Sequence, residues 1–589
     1  MCFVNNRDRV VRADILLALF AVLLLFWTLG ERGLWTAEGR WAEVTREMFL
    51  TGDFFHPTIN GEPYFDKPLL TYWLIALIST LTGRLDEWTV RLPSAISGLL
   101  ALWATVYLGR RLWSAEVGRT AGWVLLTTYS FLFWSRAGTA DMENVAAVTL
   151  ALAWYWARRD QPNFSAFFVF YLIAFIGSLT KGLTAFVVPV LAVLPDVLAK
   201  GRWRTVLRPS HFLAMALAGC IYLAPFIYAS ITRTDYQASG LALVFQENIQ
   251  RFFQPFDHKE PFYCYFYYLP ILFLPWTPLF LAACAGMASG WKDLDSRTRW
   301  LIKAALLVFL FFTASGSRRS YYILPILPLC ALWTAVFLRT DSVPLPALMI
   351  FKRWGLRIQA GLLAVLAFIY IASPVIWPVL MDRIGFVAPQ GLKVATLVCG
   401  LTVFGLLAVS LRRSGLFHAV LGTAGPAAPL VAAVAVFMAV FFCWQVKALE
   451  IYRTERPFSL ELKKRLAGVD PEQVAFFRKV SPNVLFYLNL PRPVRLLPDQ
   501  EAVRRFIERE STNSVLISRR KYLPKLTAIL SADLIQRPDL AEEVQTWERK
   551  DSRKLVAWDL SKLNKSSEVQ RFRGSGLPFR IHESTVQNL

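Results

Sequence analysis

The feature that most constrains this chain is a recurrence of apolar stretches, each roughly 16–27 residues long, between Ala13 and Trp444. About 20 apolar residues in a helix match the ~30 Å hydrocarbon core of a bilayer. Within lipid each backbone polar group must be bonded inside its own segment, so these stretches are expected to be helices. A chain of 589 residues that is 55% hydrophobic, with mean hydropathy +0.41, carries more apolar surface than a water-soluble fold can hide. Its 21 Trp and 44 Phe suit lipid-facing and interfacial positions. The first stretch follows Arg7, Arg9 and Arg12 and runs on into Leu29, Gly30, Glu31 and Arg32 without a small-residue cleavage site, so it reads as an uncleaved first span. The expected class is an all-α polytopic membrane protein.

Fourteen stretches are recognisable, near 13–30, 68–83, 93–109, 120–134, 142–157, 164–180, 183–198, 211–230, 262–288, 301–315, 321–338, 359–380, 394–411 and 418–444. The second is short and follows Pro68. If it lies in the interface, six alternate loops fall on the side of the N-terminal arginines. They carry Arg110, Arg111 and Arg119; Arg158 and Arg159; Lys200, Arg202, Arg204 and Arg208; Lys292, Arg297 and Arg299; Arg339, Lys352, Arg353 and Arg357; and Arg412 and Arg413. Short cytoplasmic loops are enriched in Lys and Arg, which selects this parity. It predicts thirteen spans plus interfacial helices, with a cytoplasmic N-terminus and with residues 31–92 and 231–261 on the outer face. It also attributes most of the net charge of +22 to membrane orientation, so no nucleic-acid partner is expected. Seven scattered cysteines show no metal-type spacing.

Residues 450–589 are different. They hold 26 basic and 18 acidic residues and no run long enough to span. Residues 473–477, 484–488 and 515–518 read as strands and 499–510 as an amphipathic helix, which predicts a small extracytoplasmic α/β domain after a transmembrane domain of residues 1–449.

Four outer-face segments carry polar residues at odds with their surroundings: 34–48, 60–68, 135–141 and 247–261. Carboxylates beside Arg, Lys and a lone His at a membrane surface suit a phosphate-bearing lipid, with cations to hold the phosphate and a carboxylate as general base. The bland alternative is a set of solvated loop charges.

The order of these residues resembles the C-type glycosyltransferases that use polyprenyl-phosphate sugars, and among them the bacterial aminoarabinose transferases of lipid A, relatives of the protein O-mannosyltransferases. The residues that carry the resemblance are Arg40-Trp41-Ala42-Glu43 with Arg46-Glu47-Met48, Tyr64-Phe65-Asp66-Lys67-Pro68, Asp141, Lys181-Gly182, Arg251-Phe252, His258 before Pro261, Pro275-Trp276 and Tyr322-Ile323-Leu324-Pro325. The resemblance implies an enzyme of the bacterial inner membrane that moves a sugar from undecaprenyl phosphate to lipid A or another envelope acceptor, with a protein or polysaccharide acceptor as the alternative. It implies that Asp66 and His258 hold a divalent ion, zinc in preference to magnesium. Arg40, Lys67, Arg251 and Arg318 are expected to bind phosphate or an anionic acceptor, and Tyr64 and Tyr322 to shape the sugar pocket. Snorkelling cations and an aromatic belt are the competing explanations. Relatives carry an acidic pair before the Arg-aromatic-Ala-Glu motif, whose first member is an aspartate. Here that position is Ala37, which leaves Glu38 or Asp141 as the catalytic carboxylate, or an acceptor already ionised. Lys181 reads as an interfacial anchor, and Glu43 and Glu47 as supports for Arg40 or Arg46.

Two other classes compete. A transporter or flippase is disfavoured by the lack of symmetry between halves and of paired broken helices near mid-bilayer. A non-catalytic membrane scaffold is kept open by Ala37.

Overall fold

The computed structural model describes residues 6–35, 37–233, 250, 253, 259–339, 346–384, 390–421, 423, 427–446, 454–509, 514–527, 529–530, 535–542 and 553–560. The chain divides into two compact units, residues 1–450 and 451–589.

The first unit is a helical bundle. Among the described residues seven helices are long and apolar enough to cross a membrane: Glu87–Leu112, Phe164–Lys181, Pro209–Thr232, Ser320–Arg339, Leu348–Ile371, Gln390–Val409 and Ala428–Gln445. Several present apolar side chains outward, as Ile358, Leu362, Val365 and Phe368 do on the helix Pro346–Ile371. Such a continuous apolar exterior is what lipid, and not water, accommodates.

The ends of these helices are chemically different. Helix α1 (Asn6–Phe26) carries Asp14 in its first half, and α4 (Glu87–Leu112) carries Arg110 near its end. Asp14 accepts from Arg110 and lies 3.5 Å from Arg119, on α5 (Ala115–Leu126). The other end of α4 carries Arg91. At 1.5 Å per residue the two ends of α4 lie on the order of 40 Å apart. Between α1 and α4 come α2 (Glu38–Thr51) and α3 (Leu70–Thr82), both at the Arg91 end. Helix α3 is the second apolar stretch; 13 residues do not cross the hydrocarbon core, and α1 and α4 are antiparallel without it. It is anchored sideways, with the Tyr72 ring tilted against Trp41 at 4.6 Å between centroids and the Trp73 indole donating to Phe54 O at 2.7 Å. Asp86 starts α4 as an N-cap with a reciprocal Thr89 bond. Helix α7 (Asp141–Arg158) then runs away from that end and α8 (Phe164–Lys181) returns to it. Arg159 pairs with Asp196 on α9 (Thr184–Ala199) at 2.8 Å, at the Arg110 end.

Two stretches expected to be continuous are interrupted. Residues 120–134 divide into α5 and α6 (Tyr129–Ser135), because the Thr127 and Thr128 hydroxyls bond back to Trp123 O and Val124 O where the helix stops. Residues 262–288 divide into Cys264–Leu272 and Thr277–Ser289 around Pro275, which has no N–H to continue a helix. The two breaks satisfy each other: Tyr129 N donates to Leu274 O at 2.8 Å, Ser130 Oγ to Leu272 O at 2.5 Å, and the Trp276 indole to Thr127 Oγ1 at 2.9 Å. Paired broken helices are therefore present, contrary to the sequence expectation. Trp276 is fully buried at the junction.

The second unit contains a mixed five-stranded sheet in the order β4-β3-β5-β7-β6. Strands β3 (Val474–Phe477), β4 (Arg495–Leu497) and β5 (Val515–Arg519) are parallel; β7 (Leu555–Asp559) runs antiparallel to β5 and to β6 (Leu540–Ala541). The helix Gln500–Arg509 buries Val503 and Phe506 against this sheet. Residues 484–488, read as a strand, are instead the helix Pro482–Leu488. Pro482 suits its first turn, left-handed Asn489 ends it, and burial on all sides erases the alternation that would have distinguished it.

Candidate active site

Helix α2 is the platform of the site. Its first residue, Glu38, is 2% exposed and makes a two-bond pair with Arg91, Nε to Oε1 at 2.7 Å and Nη2 to Oε2 at 2.8 Å. The same carboxylate accepts from Trp35 N at 2.9 Å and Gly138 N at 2.8 Å, with Arg32 at 3.5 Å. Arg91 also holds the carbonyls of Leu29, Arg32 and Gly33. Burial works to raise the Glu38 pKa, but Arg91, Arg32 and the Gly138 amide outweigh it and hold it at about 2. Both oxygens are thus engaged and the group has almost no basicity. Glu38, one of the two carboxylates expected as the base, knots α2, α4 and the 136–141 turn together. Gly138 is required there, since a Cβ would lie 2.6 Å from Val90 Cγ1 and 2.9 Å from its carbonyl.

The next acidic residues on α2 are also structural. Glu43 is fully buried and makes a two-bond pair with Arg46, both at 2.8 Å. Glu47 accepts from Thr58 Oγ1 and Asn60 N, each at 2.5 Å, and Gly61 N at 3.2 Å. It thereby fixes the hairpin of β1 (Thr58–Ile59) and β2 (Glu62–Pro63), whose Asn60-Gly61 turn has φ of 58° and 75°. Burial raises the Glu43 pKa to about 7 despite Arg46. A carboxyl raised above its unfolded value binds more protons when folded, so stability is lost as pH rises from about 4.5 through 7. Wild-type protein should therefore lose thermal midpoint relative to Glu43→Gln across that window, and parallel melting curves at pH 5 and pH 8 would refute this.

The hairpin delivers the second segment. Arg40 Nη1 donates to Tyr64 Oη at 2.7 Å and to Asp66 Oδ2 at 3.2 Å, Tyr64 donates to the same oxygen at 3.2 Å, and Lys67 Nζ reaches Asp66 Oδ1 at 3.3 Å. The Arg40 and Asp66 side chains are 38% and 36% exposed, so the cluster opens outward. Burial raises the Asp66 pKa, but Lys67 and Arg40 outweigh it and leave it below the ordinary carboxylate range.

The third segment starts α7. Asp141 pairs with Lys181 at the end of α8 and accepts from Thr139 Oγ1 at 2.9 Å. Lys181 was read from sequence as an interfacial anchor; instead its ammonium is an ion partner and faces the Tyr321 and Tyr322 rings at 5.0 and 4.8 Å. Tyr321 completes the assembly: it accepts from Arg319 at 2.8 Å and lies within the electrostatic reach of Asp141, Arg319 and Arg40. The Arg40–Lys67 and Asp141–Lys181 clusters thus share one end of the bundle. Arg318, expected to meet an anionic acceptor, binds the carbonyls of Thr313 at 3.0 Å and Glu260 at 2.7 Å and so braces the 317–320 turn. Arg251 and His258 lie outside the described residues.

Sequence reasoning missed Arg91 and Tyr321 altogether. The available signal was an arginine at the outer mouth of a span and a second tyrosine beside Tyr322.

No group of three His, Cys, Asp or Glu side chains gathers as metal ligands among the described residues. Asp66, the described member of the expected pair, already has both oxygens bonded to cations.

A family profile described as dolichyl-phosphate-mannose-protein mannosyltransferase matches residues 66–228. An undecaprenyl phosphate-alpha-4-amino-4-deoxy-L-arabinose arabinosyl transferase of Aeromonas salmonicida is 32% identical over 371 residues, 60% of this chain and 64% of that protein. A relative of the same name in Pseudomonas fluorescens is 30% identical over 366 residues, 60% of this chain and 65% of its own length. The match therefore spans a little under two thirds of these relatives. In three dimensions the chain superposes on ArnT from Cupriavidus metallidurans bound to undecaprenyl phosphate with a TM-score of 0.68 at 20% identity, covering 92% of this chain and 97% of the other. The resemblance to the polyprenyl-phosphate-dependent C-type glycosyltransferases holds in sequence and in fold. The matched residues 66–228 include Asp66 and Lys67, which precede α3, and the helices α7 and α8 that carry Asp141 and Lys181.

Proposed function

We propose that this chain is an inner-membrane glycosyltransferase that moves a sugar, 4-amino-4-deoxy-arabinose or a close analogue, from undecaprenyl phosphate to a phosphate oxygen of lipid A. The observation that carries this reading is the presence of two clusters, Arg40–Tyr64–Asp66–Lys67 and Asp141–Lys181–Tyr321–Tyr322, at the bundle end away from the basic loops, with Tyr321 in electrostatic reach of both Asp141 and Arg40. The basic loops favour a cytoplasmic Arg110 end, thirteen spans, and an outer face for the site and for the C-terminal unit.

In the transfer an acceptor oxygen bonds to the anomeric carbon as the bond from that carbon to the carrier phosphate breaks. The bonding pair leaves with the phosphate, which goes from a diester with one negative charge to a monoester with two. Lys67 and Arg40 are placed to neutralise that growing charge. Two of the described carboxylates have little basicity, Glu38 held near pKa 2 and Asp66 kept below the ordinary range by Lys67 and Arg40, while Asp141 is bonded to Lys181 and Thr139. An acceptor phosphate arrives ionised and needs no base, which is compatible with Ala37. Mass spectrometry of lipid A with and without the gene tests the proposal. The expected result is a gene-dependent sugar located by fragmentation on a phosphate; a sugar on a hydroxyl, on protein, or no change in any envelope glycolipid would overturn it.

A divalent ion at Asp66 and His258 belongs to the same proposal. It would supply further positive charge to the phosphate oxygens, and it requires Lys67 or Arg40 to leave the Asp66 carboxylate for the donor. Metal analysis of purified protein with undecaprenyl phosphate should find about one zinc per chain, lost in Asp66→Ala; no metal with or without the carrier would refute this element alone.

A further inference from the structure

A second cleft lies at the opposite end of the bundle. It encloses about 830 Å³ of unfilled space, its open mouth included, between the end of α7, the start of α8, α9 and the residues 202–211 that lead into the helix Pro209–Thr232. Fourteen residues of α7 separate Asp141 from Tyr155 in its wall, on the order of 20 Å, so the cleft is distinct from the candidate active site. Trp154, Phe167, Phe170 and Val197 make it apolar, and Tyr171 and His211 close one side through a 2.6 Å bond.

The charges at its mouth are unbalanced. Asp196 is taken by Arg159 at 2.8 Å and Tyr155 at 2.7 Å, and Asp160 by Arg202 at 2.6 Å. Arg158 is exposed, stacks on Trp154 at 5.3 Å and has no carboxylate partner among the described residues. Lys200 acts electrostatically on Asp160, and Arg208 donates to the carbonyl of Pro162, a residue of the cleft wall, at 3.3 Å, so both add positive charge at this end. An apolar slot with a surplus cation at its rim, at the end that the basic loops assign to the inner leaflet, is complementary to an anionic amphiphile.

We propose that this cleft binds an anionic phospholipid of the inner leaflet, with its phosphate at Arg158 and an acyl chain between the α7, α8 and α9 side chains. The site is independent of the transfer reaction and does not rest on it. Full-length protein incubated with phosphatidylglycerol carrying a photoactivatable acyl chain should be labelled within residues 154–171 and 190–211, at least about fivefold more than with the phosphatidylcholine analogue. Arg158→Gln should bring the phosphatidylglycerol yield down to the phosphatidylcholine level, and Val197→Trp, which fills the slot, should remove labelling by both. Equal labelling by the two lipids, an unchanged yield in Arg158→Gln, or labelling confined to other segments would overturn the proposal.

Discussion

Lys67→Ala should lower transfer about a hundred- to a thousandfold in kcat while the protein still inserts and melts within a few degrees of wild type. Lys67 is partly exposed and holds Asp66 through its carbonyl at 2.9 Å and its carboxylate at 3.3 Å, so its removal breaks no buried pair. What is lost is a positive charge where the carrier phosphate becomes doubly negative, an interaction stronger in the transition state than in the ground state. Lys67→Arg keeps the charge on a bulkier, planar group and should recover only part of the rate. Purified wild type and variants compared in one reconstituted assay give the answer, and wild-type turnover in Lys67→Ala would remove this residue from the site.

Arg91→Met should be the most destabilising single change near the site, by roughly 3–5 kcal/mol, because it strands the Glu38 carboxylate in a buried position. The two side chains are 1% and 2% exposed, so solvent does not screen the pair. The double variant Glu38→Gln with Arg91→Met should regain much of the stability, since glutamine still accepts from Gly138 N and both members of the fully buried ion pair are removed together. Its transfer rate should lie within about tenfold of wild type. A well-folded double variant with a loss of a thousandfold or more would return Glu38 to a catalytic role.

The comparison of Glu38 with Lys181 shows where sequence reading succeeds and where it stops. Loop charge separated the two ends of the bundle, and the structure shows why: a helix has two ends, and the arginines of 110–119, 158–159 and 200–208 gather at one of them. The short α3 was legible for the same reason. Pairing was not legible. Glu38 and Arg91 are 53 residues apart, and Asp141 and Lys181 are 40 apart. Nothing in either local pattern says which carboxylate is tied and which cation has an aromatic face to rest on. Lys181 stands at a helix end, where snorkelling explains most lysines, and only the packing of α8 against α7 brings it to Asp141. In the second unit, strands β3 and β5 were visible as short β-branched or aromatic runs, whereas 484–488 was misread because a wholly buried segment has no polar face to set its period.

The most direct measurement is ³¹P NMR of undecaprenyl-phosphate-linked aminoarabinose incubated with purified protein and lipid A. Conversion of the carrier signal from phosphodiester to monoester, dependent on lipid A and lost in Lys67→Ala, is the expected result. A carrier signal that stays diester with lipid A and with every other phosphate-bearing acceptor, while the protein is folded, would contradict the assignment of this site.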